Sequence, residues 1–272
     1  MDLKKYGPWA LVIGGSEGVG AAFARKLAAG GFKLVLMARK PAPLEELAAE
    51  LRAGGAEVRV LSADLAKSNA LEKVRAVTDD VEIGLLVYNA GANNTRGNFV
   101  ELPAEVTDSV IAINVLGQAA FARHYGALMC ERRRGGMILT GSLGGYLGSP
   151  TLAAYTGAKA FSRIFTEALW AECAAFNVDV LHLNIGFTAT PAMARLGIDI
   201  SVAEEPANVA QEGLDNIANG PIWIVSTKGN MERVRNLSVA DDRAALVRAF
   251  AIPPRADMAK HQTLQKERAG GG

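Results

Sequence analysis

Short apolar runs alternate with longer stretches of helical period along most of this chain. The runs Trp9–Ile13, Lys33–Met37, Glu57–Ser62, Ile83–Tyr88, Gly136–Gly141, Val178–Ile185 and Pro221–Val225 are mostly apolar throughout rather than at every second residue. That is the pattern of strands in a parallel sheet buried on both faces. Between them, Val19–Gly30, Pro43–Ala53, Ser68–Thr78, Glu105–Arg132 and Ala153–Ala175 space their apolar residues at the helical period, and Gly30-Gly31 supplies a helix stop. The alternation predicts one doubly wound α/β domain over residues 1–252, a seven-stranded parallel sheet with helices on both faces. Two stretches fit less well. Residues 191–219 are longer than a compact crossover needs. Because ligands sit beyond the carboxyl ends of such strands, a substrate lid is expected there. Residues 253–272, charged and ending in three glycines, are expected to form a flexible tail.

Composition narrows the function classes. Of 272 residues, 50% are hydrophobic and 21% charged, which excludes a disordered chain. With 29 Lys+Arg against 28 Asp+Glu the net charge is +1, so no basic excess points to nucleic acid. No apolar run approaches the roughly 20 residues of a membrane span, and no membrane association is expected. Arg132-Arg133-Arg134 reads as a solvated helix end rather than a basic patch. The two cysteines, Cys130 and Cys173, lack metal-ligand spacing and are too few for a disulfide framework. No metal is expected, and the location expected is the reducing cytoplasm, with no segment removed.

The first candidate chemistry follows the first strand. Gly14-Gly15-Ser16-Glu17-Gly18-Val19-Gly20 opens directly into a helix, and its glycines let backbone N–H groups and a helix N-terminus approach a pyrophosphate. An ordinary Gly-rich turn would read the same; the position in the first strand-to-helix turn favours the dinucleotide. At the end of the second strand, Met37-Ala38-Arg39-Lys40 carries no acid for a ribose 2′-hydroxyl, and Arg39 suits a 2′-phosphate. NADP(H) is therefore the preferred cofactor, with NAD(H) the alternative. Glu17, inside the loop, cuts against NADP(H) because its carboxylate could approach the phosphate.

A second constellation lies later. Tyr155 and Lys159 stand four apart at the start of a helix and share a face. A free phenol has pKa about 10, and a nearby ammonium favours its ionised form, so the pair suits proton transfer near neutrality. Ser142 closes the fifth strand-like run, where its hydroxyl could hold a substrate oxygen or simply belong to a turn. Asn114 interrupts an apolar helix, either anchoring a water near Lys159 or packing helices.

The glycine loop, Asn89-Ala90-Gly91, Asn114, Ser142, Tyr155 and Lys159 together resemble the short-chain dehydrogenase/reductase family in order and spacing, over roughly residues 7–225. The resemblance implies a Rossmann-type domain and reversible hydride transfer between NAD(P)(H) and an alcohol or carbonyl. It implies Tyr155 as general acid in reduction, with Ser142 orienting the carbonyl. Lys159 would lower the phenol pKa and bind the nicotinamide ribose, and Asn114 would anchor a relay water. Gly14, Ser16, Gly18, Val19, Gly20, Arg39 and Leu65 would bind the cofactor, with Asp64 at the adenine and Asn89, Ala90 and Gly91 along its adenosine and ribose side. Gly186, Phe187, Thr188 and Thr190 would close the nicotinamide end.

Three positions depart from the family pattern. Ile13 stands for the usual Thr and Tyr88 for the usual Asn, which is expected to weaken ties between the loop and the central sheet. Ile185 stands for the usual Pro and leaves the path of the nicotinamide loop open. Gly144, Tyr146, Phe187 and Met193 are the expected substrate contacts, with Asn93, Asn94 and Leu152 nearby by resemblance. The expected substrate is a hydrophobic ketone or secondary alcohol, ring-bearing or steroid-like. The resemblance also implies a homodimer or homotetramer. The alternative, a non-catalytic dinucleotide-binding sensor or scaffold on the same fold, is opposed by the retention of Tyr155 and Lys159. His124, His182 and His261 suggest no role.

Overall fold

A computed structural model describes residues 1–91, 95–195, 200–201, 203–225, 229–239 and 242–249. The expected tail at 253–272 lies outside the described residues, as do Asn93 and Asn94. The strands are β1 (Trp9–Ile13), β2 (Lys33–Ala38), β3 (Val58–Ser62), β4 (Ile83–Tyr88), β5 (Gly135–Thr140), β6 (Val178–Asn184) and β7 (Ile222–Ile224). All pair in parallel, in the order β3-β2-β1-β4-β5-β6-β7. The helices are α1 (Leu3–Tyr6), α2 (Gly18–Ala29), α3 (Pro41–Ala53), α4 (Ala70–Arg75), α5 (Ala104–Ile111), α6 (Gln118–Glu131) and α7 (Ala153–Ala174). They continue as α8 (Pro191–Arg195), α9 (Pro206–Asp215), α10 (Asn230–Ser238) and α11 (Arg243–Ala249). None of the described helices is long and apolar enough to cross a membrane.

The apolar strands are explained by two cores. Successive strand side chains point to opposite faces. In β1, Ala10 and Val12 join Phe23, Leu27, Leu44, Leu47, Val209 and Leu214 under α2, α3 and α9. Trp9, Leu11 and Ile13 join Val74, Phe121, Tyr125, Met129 and Cys173 on the other side. Burial of each Val, Leu, Ile, Phe or Met among these stabilises by about 1.5–3 kcal/mol. Ile13 pairs with Met37 on one side and Tyr88 on the other, so β1, β2 and β4 end at one edge. The chain winds outward from β1 in both directions, which makes the β1/β4 junction the topological switch point where ligands bind in such sheets.

The segment expected as one helix over 105–132 divides in two. Between α5 and α6, Ala112–Gly117 forms a π-helical turn around the buried Asn114. Asn114 Nδ2 donates to the Val110 carbonyl at 3.0 Å. The wider turn changes the backbone pairing, and the buried Tyr88 hydroxyl donates to the Ile113 carbonyl at 2.6 Å. Tyr88 therefore supplies a tie from the central sheet to this turn, where a weaker connection had been expected from its departure.

The stretch 191–219 also divides. Pro191, Ala192 and Met193 of α8 line the cleft described below. Val209, Ala210 and Leu214 of α9 are buried in the core against α2, so α9 covers the sheet rather than the site. Removing the Tyr88 hydroxyl tests the π-turn account. Tyr88→Phe removes the hydrogen bond to the part-buried Ile113 carbonyl and should cost about 0.5–1.5 kcal/mol in urea unfolding with an unchanged m-value. Unaltered stability would contradict the role given to that bond.

Candidate active site

Three glycines of the first loop are required, each for its own reason. Gly14 turns the chain off β1 with φ +81 and donates its N–H to the Met37 carbonyl at 2.8 Å. Gly18 has φ +57 and lies against the Thr190 side chain, where a Cβ would stand 3.0 Å from Cγ2. A Cβ on Gly20 would run into the Gly14 carbonyl, which also accepts a hydrogen bond from Asn89 Nδ2 at 3.2 Å. Ser16 is half-buried within the loop and Val19 buried in the first turn of α2. Glu17, the N-cap of α2, gives that turn no side-chain hydrogen bond, so its N–H groups face the cleft uncapped. The Glu17 carboxylate instead takes a two-pronged bond from Arg195, at 2.7 and 2.9 Å, with Lys40 at 3.6 Å. The Arg195 bonds hold it below the usual carboxylate range. Its expected opposition to a phosphate is thereby reduced.

The next loop runs alongside. Asn89 and Ala90 both donate their N–H to the Ile13 carbonyl, at 2.9 and 3.0 Å, so the isoleucine in place of threonine leaves the backbone tie intact. Arg39 is exposed at the end of β2, its carbonyl held by the Ser62 hydroxyl at 3.0 Å. Asp64 folds the turn after β3 by accepting the Ala66 N–H at 3.0 Å, and Leu65 is buried beside it. Arg39, Asp64 and Leu65 thus flank the switch point on the β2–β3 side.

A cavity of about 650 Å³ opens beyond β1, β4, β5 and β6. Tyr155 enters it from the first turn of α7 and Ser142 from the end of β5. Ser142 Oγ accepts the Gly144 N–H at 3.1 Å and lies beside the phenol. Burial raises the Tyr155 pKa and the serine hydroxyl only partly offsets this. Burial thus works against the phenolate that the neighbouring Lys159 was expected to favour. Lys159 lies one turn along α7, 5% exposed, and donates Nζ to the Thr140 carbonyl at 3.1 Å. Nζ is 5.8 Å from the centre of the Tyr155 ring, and burial lowers its pKa to about 8. Gly91, with φ +141, is the lid over this lysine. A Cβ there would run into Asn114 Oδ1 and stand 3.1 Å from Lys159 Nζ. Asn114 Oδ1, buried and without a hydrogen-bond partner among the described residues, therefore faces the same small space as the ammonium.

The cleft wall opposite is built from the segment after β6. Leu143 donates its N–H to the Ile185 carbonyl at 3.1 Å, which fixes the path left open by the missing proline. Gly186 packs on Asn230, whose Nδ2 donates to the Val225 carbonyl at 3.0 Å. Glu204 N–H donates to the Phe187 carbonyl at 2.9 Å and Ala189 N–H to the Glu204 carbonyl at 2.8 Å. These bonds pin Phe187 and Thr188. Thr190 Oγ1 accepts the Met193 N–H at 3.3 Å. Gly186, Phe187, Thr188, Thr190, Gly144, Met193, Asn89 and Gly91 all line the cavity. Tyr146 does not. Its ring lies 4.6 Å from the Arg163 guanidinium, and its hydroxyl is beside Asn184 behind the wall.

One supporting residue had no reading in the sequence. The buried His182 ring lies against Gly141, immediately before Ser142, leaving no room for a Cβ. Burial, followed by the charges of Lys159 and Arg163, pushes its pKa down to about 3, so it is neutral. The signal was the Gly141-Ser142 pair opposite a strand histidine, visible only once β5 and β6 are set side by side.

A dinucleotide fits this arrangement, with three crowded glycines, an uncapped helix N-terminus and a cleft reaching Tyr155. The family model for short chain dehydrogenases matches residues 8–200. A 7beta-hydroxysteroid dehydrogenase of Collinsella aerofaciens is 36% identical over 195 residues, covering 71% of this chain and 74% of that protein. A solved 7beta-hydroxysteroid dehydrogenase superposes with a TM-score of 0.84 at 29% identity, covering 91% of this chain and 98% of the other. A short-chain dehydrogenase from Sphingobium yanoikuyae, solved with NADPH, superposes with a TM-score of 0.74 at 27% identity, covering 89% and 93%. With seven parallel strands, the glycine loop and the Ser142, Tyr155 and Lys159 cluster in place, the chain belongs to the short-chain dehydrogenase/reductase family and is an alcohol/carbonyl oxidoreductase.

Proposed function

We propose that this enzyme interconverts a bulky, hydrophobic secondary alcohol and its ketone, steroid-like in size, with NADP(H) as the preferred cofactor. The observation that carries the reading is the convergence of Tyr155, Ser142 and Lys159 on one end of a cleft lined by Leu143, Leu152, Ile185, Phe187 and Met193. Such a lining favours an apolar ring system over a small polar substrate. The similarity to 7beta-hydroxysteroid dehydrogenases supports the same substrate size.

NADPH supplies the hydride when bound. In reduction, the Tyr155 hydroxyl gives its proton to the carbonyl oxygen as negative charge develops there. The Ser142 hydroxyl holds that oxygen in place. Burial raises the pKa of the phenol, which favours its acid form. Lys159 opposes the charge left on the phenolate and leads the replacement proton inward from the space it shares with Asn114 Oδ1. Gly18, Val19 and Asn89 hold the cofactor phosphates and ribose side, and Thr190 the nicotinamide end. Arg39 and Lys40, with no carboxylate at the end of β2, favour a 2′-phosphate, and the related Sphingobium enzyme was solved with NADPH. We further propose a homodimer or homotetramer built on the π-turn, α6 and α7, where Leu116, Leu128, Phe161 and Ile164 are exposed.

The test is loss of NADPH absorbance over a panel of ketones. Bulky cyclic ketones should turn over, and Tyr155→Phe should lower kcat at least about 100-fold while NADPH still binds. Undiminished turnover would overturn the proton-transfer role. Arg39→Ala should weaken NADPH about tenfold and NADH hardly at all. Equal affinity of the wild-type enzyme for both cofactors would contradict the assignment.

A further inference from the structure

Two positions govern how closely α7 approaches the end of β5. At Gly145, in the turn after Ser142, a Cβ would stand 2.8 Å from the Lys159 carbonyl, so the absence of a side chain lets turn and helix touch. At Gly141 the opposite holds. The space of its missing side chain is filled by the His182 ring, and a Cβ there would fall on Cε1 and Nε2 of the imidazole.

The surroundings of the ring follow from the sheet register. Leu139 pairs with His182 across β5 and β6, and Gly141 donates its N–H to the Leu183 carbonyl at 2.8 Å. His182 shares the sheet face of Val178 and Val180, which pack in one core with Cys173 of α7. α7 packs directly on β6, and the charges of Lys159 and Arg163 both act on the ring. His182 is 0% exposed, and neither ring nitrogen has a hydrogen-bond partner among the described residues. A buried imidazole without partners is a costly way to fill space. What it contributes here is shape, a rigid planar group between Gly141 and the turn of α7 from Lys159 to Arg163.

The strand end that this ring supports carries the chemistry. The Thr140 carbonyl accepts a hydrogen bond from Lys159 Nζ at 3.1 Å, and Ser142 Oγ lies beside the Tyr155 phenol. Tyr155 and Lys159 both belong to α7, so a change in the gap between α7 and residues 140–142 moves both contacts together. We propose that His182 is a positioning residue for the reaction, the spacer that sets this gap and so holds Lys159 on the Thr140 carbonyl and Tyr155 beside Ser142. Its effect on turnover rests on the alcohol/ketone reading above; its effect on Lys159 does not.

The experiment removes the ring and then refills its space. In His182→Ala, kcat for a bulky cyclic ketone should fall at least about tenfold, as expected when reacting groups are misplaced. The dissociation constant of NADPH, read by fluorescence quenching, should change less than about threefold. The Lys159 midpoint, followed by NMR of 13C-labelled lysine, should rise from about 8 by about one unit as water reaches the ammonium. Gly141→Ala drives a methyl group into the ring and should impair turnover on its own. Combined with His182→Ala, the same methyl enters vacated space, and the double variant should exceed Gly141→Ala in kcat. If kcat or the Lys159 midpoint is unmoved in folded His182→Ala, the ring is at most a structural filler and the inference falls while the ketone reading stands. Tenfold weaker NADPH binding would move the defect to the cofactor site and also overturn it. A double variant that does not fold, or is no better than Gly141→Ala, overturns the fit between ring and glycine on which the inference depends. If the wild type turns over no ketone, the ketone reading fails, and the Lys159 midpoint alone decides the role of His182.

Discussion

A charged lysine side chain almost fully enclosed by protein is the constraint around which this site is built. Lys159 is 5% exposed, and among the described residues its one hydrogen bond is to the Thr140 carbonyl. Burial of a lone ammonium is unfavourable, and a pKa of about 8 in place of 10.5 corresponds to roughly 3 kcal/mol withheld from the charged form. That penalty is complete below pH 8 and is relieved as pH rises towards 10.5, where the unfolded chain also gives up its proton. The neighbours are shaped to the same spot. Gly91 has no side chain where one would strike Asn114 and crowd Nζ, and the π-helical turn sets Asn114 there. The end of β5 provides both Thr140 beneath the lysine and Ser142 beside Tyr155.

The sheet makes this possible by ending its central strands together. Residues that are distant in sequence, from Gly14 through Asn89 and Ser142 to Gly186, meet at the carboxyl edge. The only rigid link they need is the strand register. Electrostatics then divide the cleft. Near the glycine loop, Glu17 is neutralised by Arg195 and Lys40, which leaves the start of α2 free to attract an anion. The Glu17–Arg195 pair also ties α8 to the cofactor loop, so the wall nearest the nicotinamide end is joined to the wall that holds the phosphates. An exposed pair of this kind is worth little in stability, so its value lies in placement.

Much of this was legible in the residue order. Strands such as Trp9–Ile13 and Ile83–Tyr88 are buried on both faces and therefore apolar throughout, which leaves little ambiguity. Tyr155 and Lys159 are separated by one helical turn, so their shared face follows from spacing alone. What escaped depends on contacts between distant segments. The π-turn at Ala112–Gly117 preserves the helical period on either side and shows itself only through Tyr88, which reaches it from another strand. His182 looks like any strand residue until Gly141 is set against it. Tyr146 has the right neighbours in sequence, but the Arg163 side chain from α7 draws its ring behind the wall. Residues 191–219 read as one insertion because the amphipathic face of α9 is defined only by α2, on which it packs.

The most direct test is the titration of the Lys159 ammonium itself, followed by NMR on protein carrying 13C-labelled lysine and assigned with Lys159→Arg. The account predicts one lysine with a midpoint near pH 8, moved from 10.5 by burial beneath Gly91. A Lys159 midpoint at the ordinary lysine value would mean that the ammonium is solvated, and the enclosed charge on which the site depends would not exist.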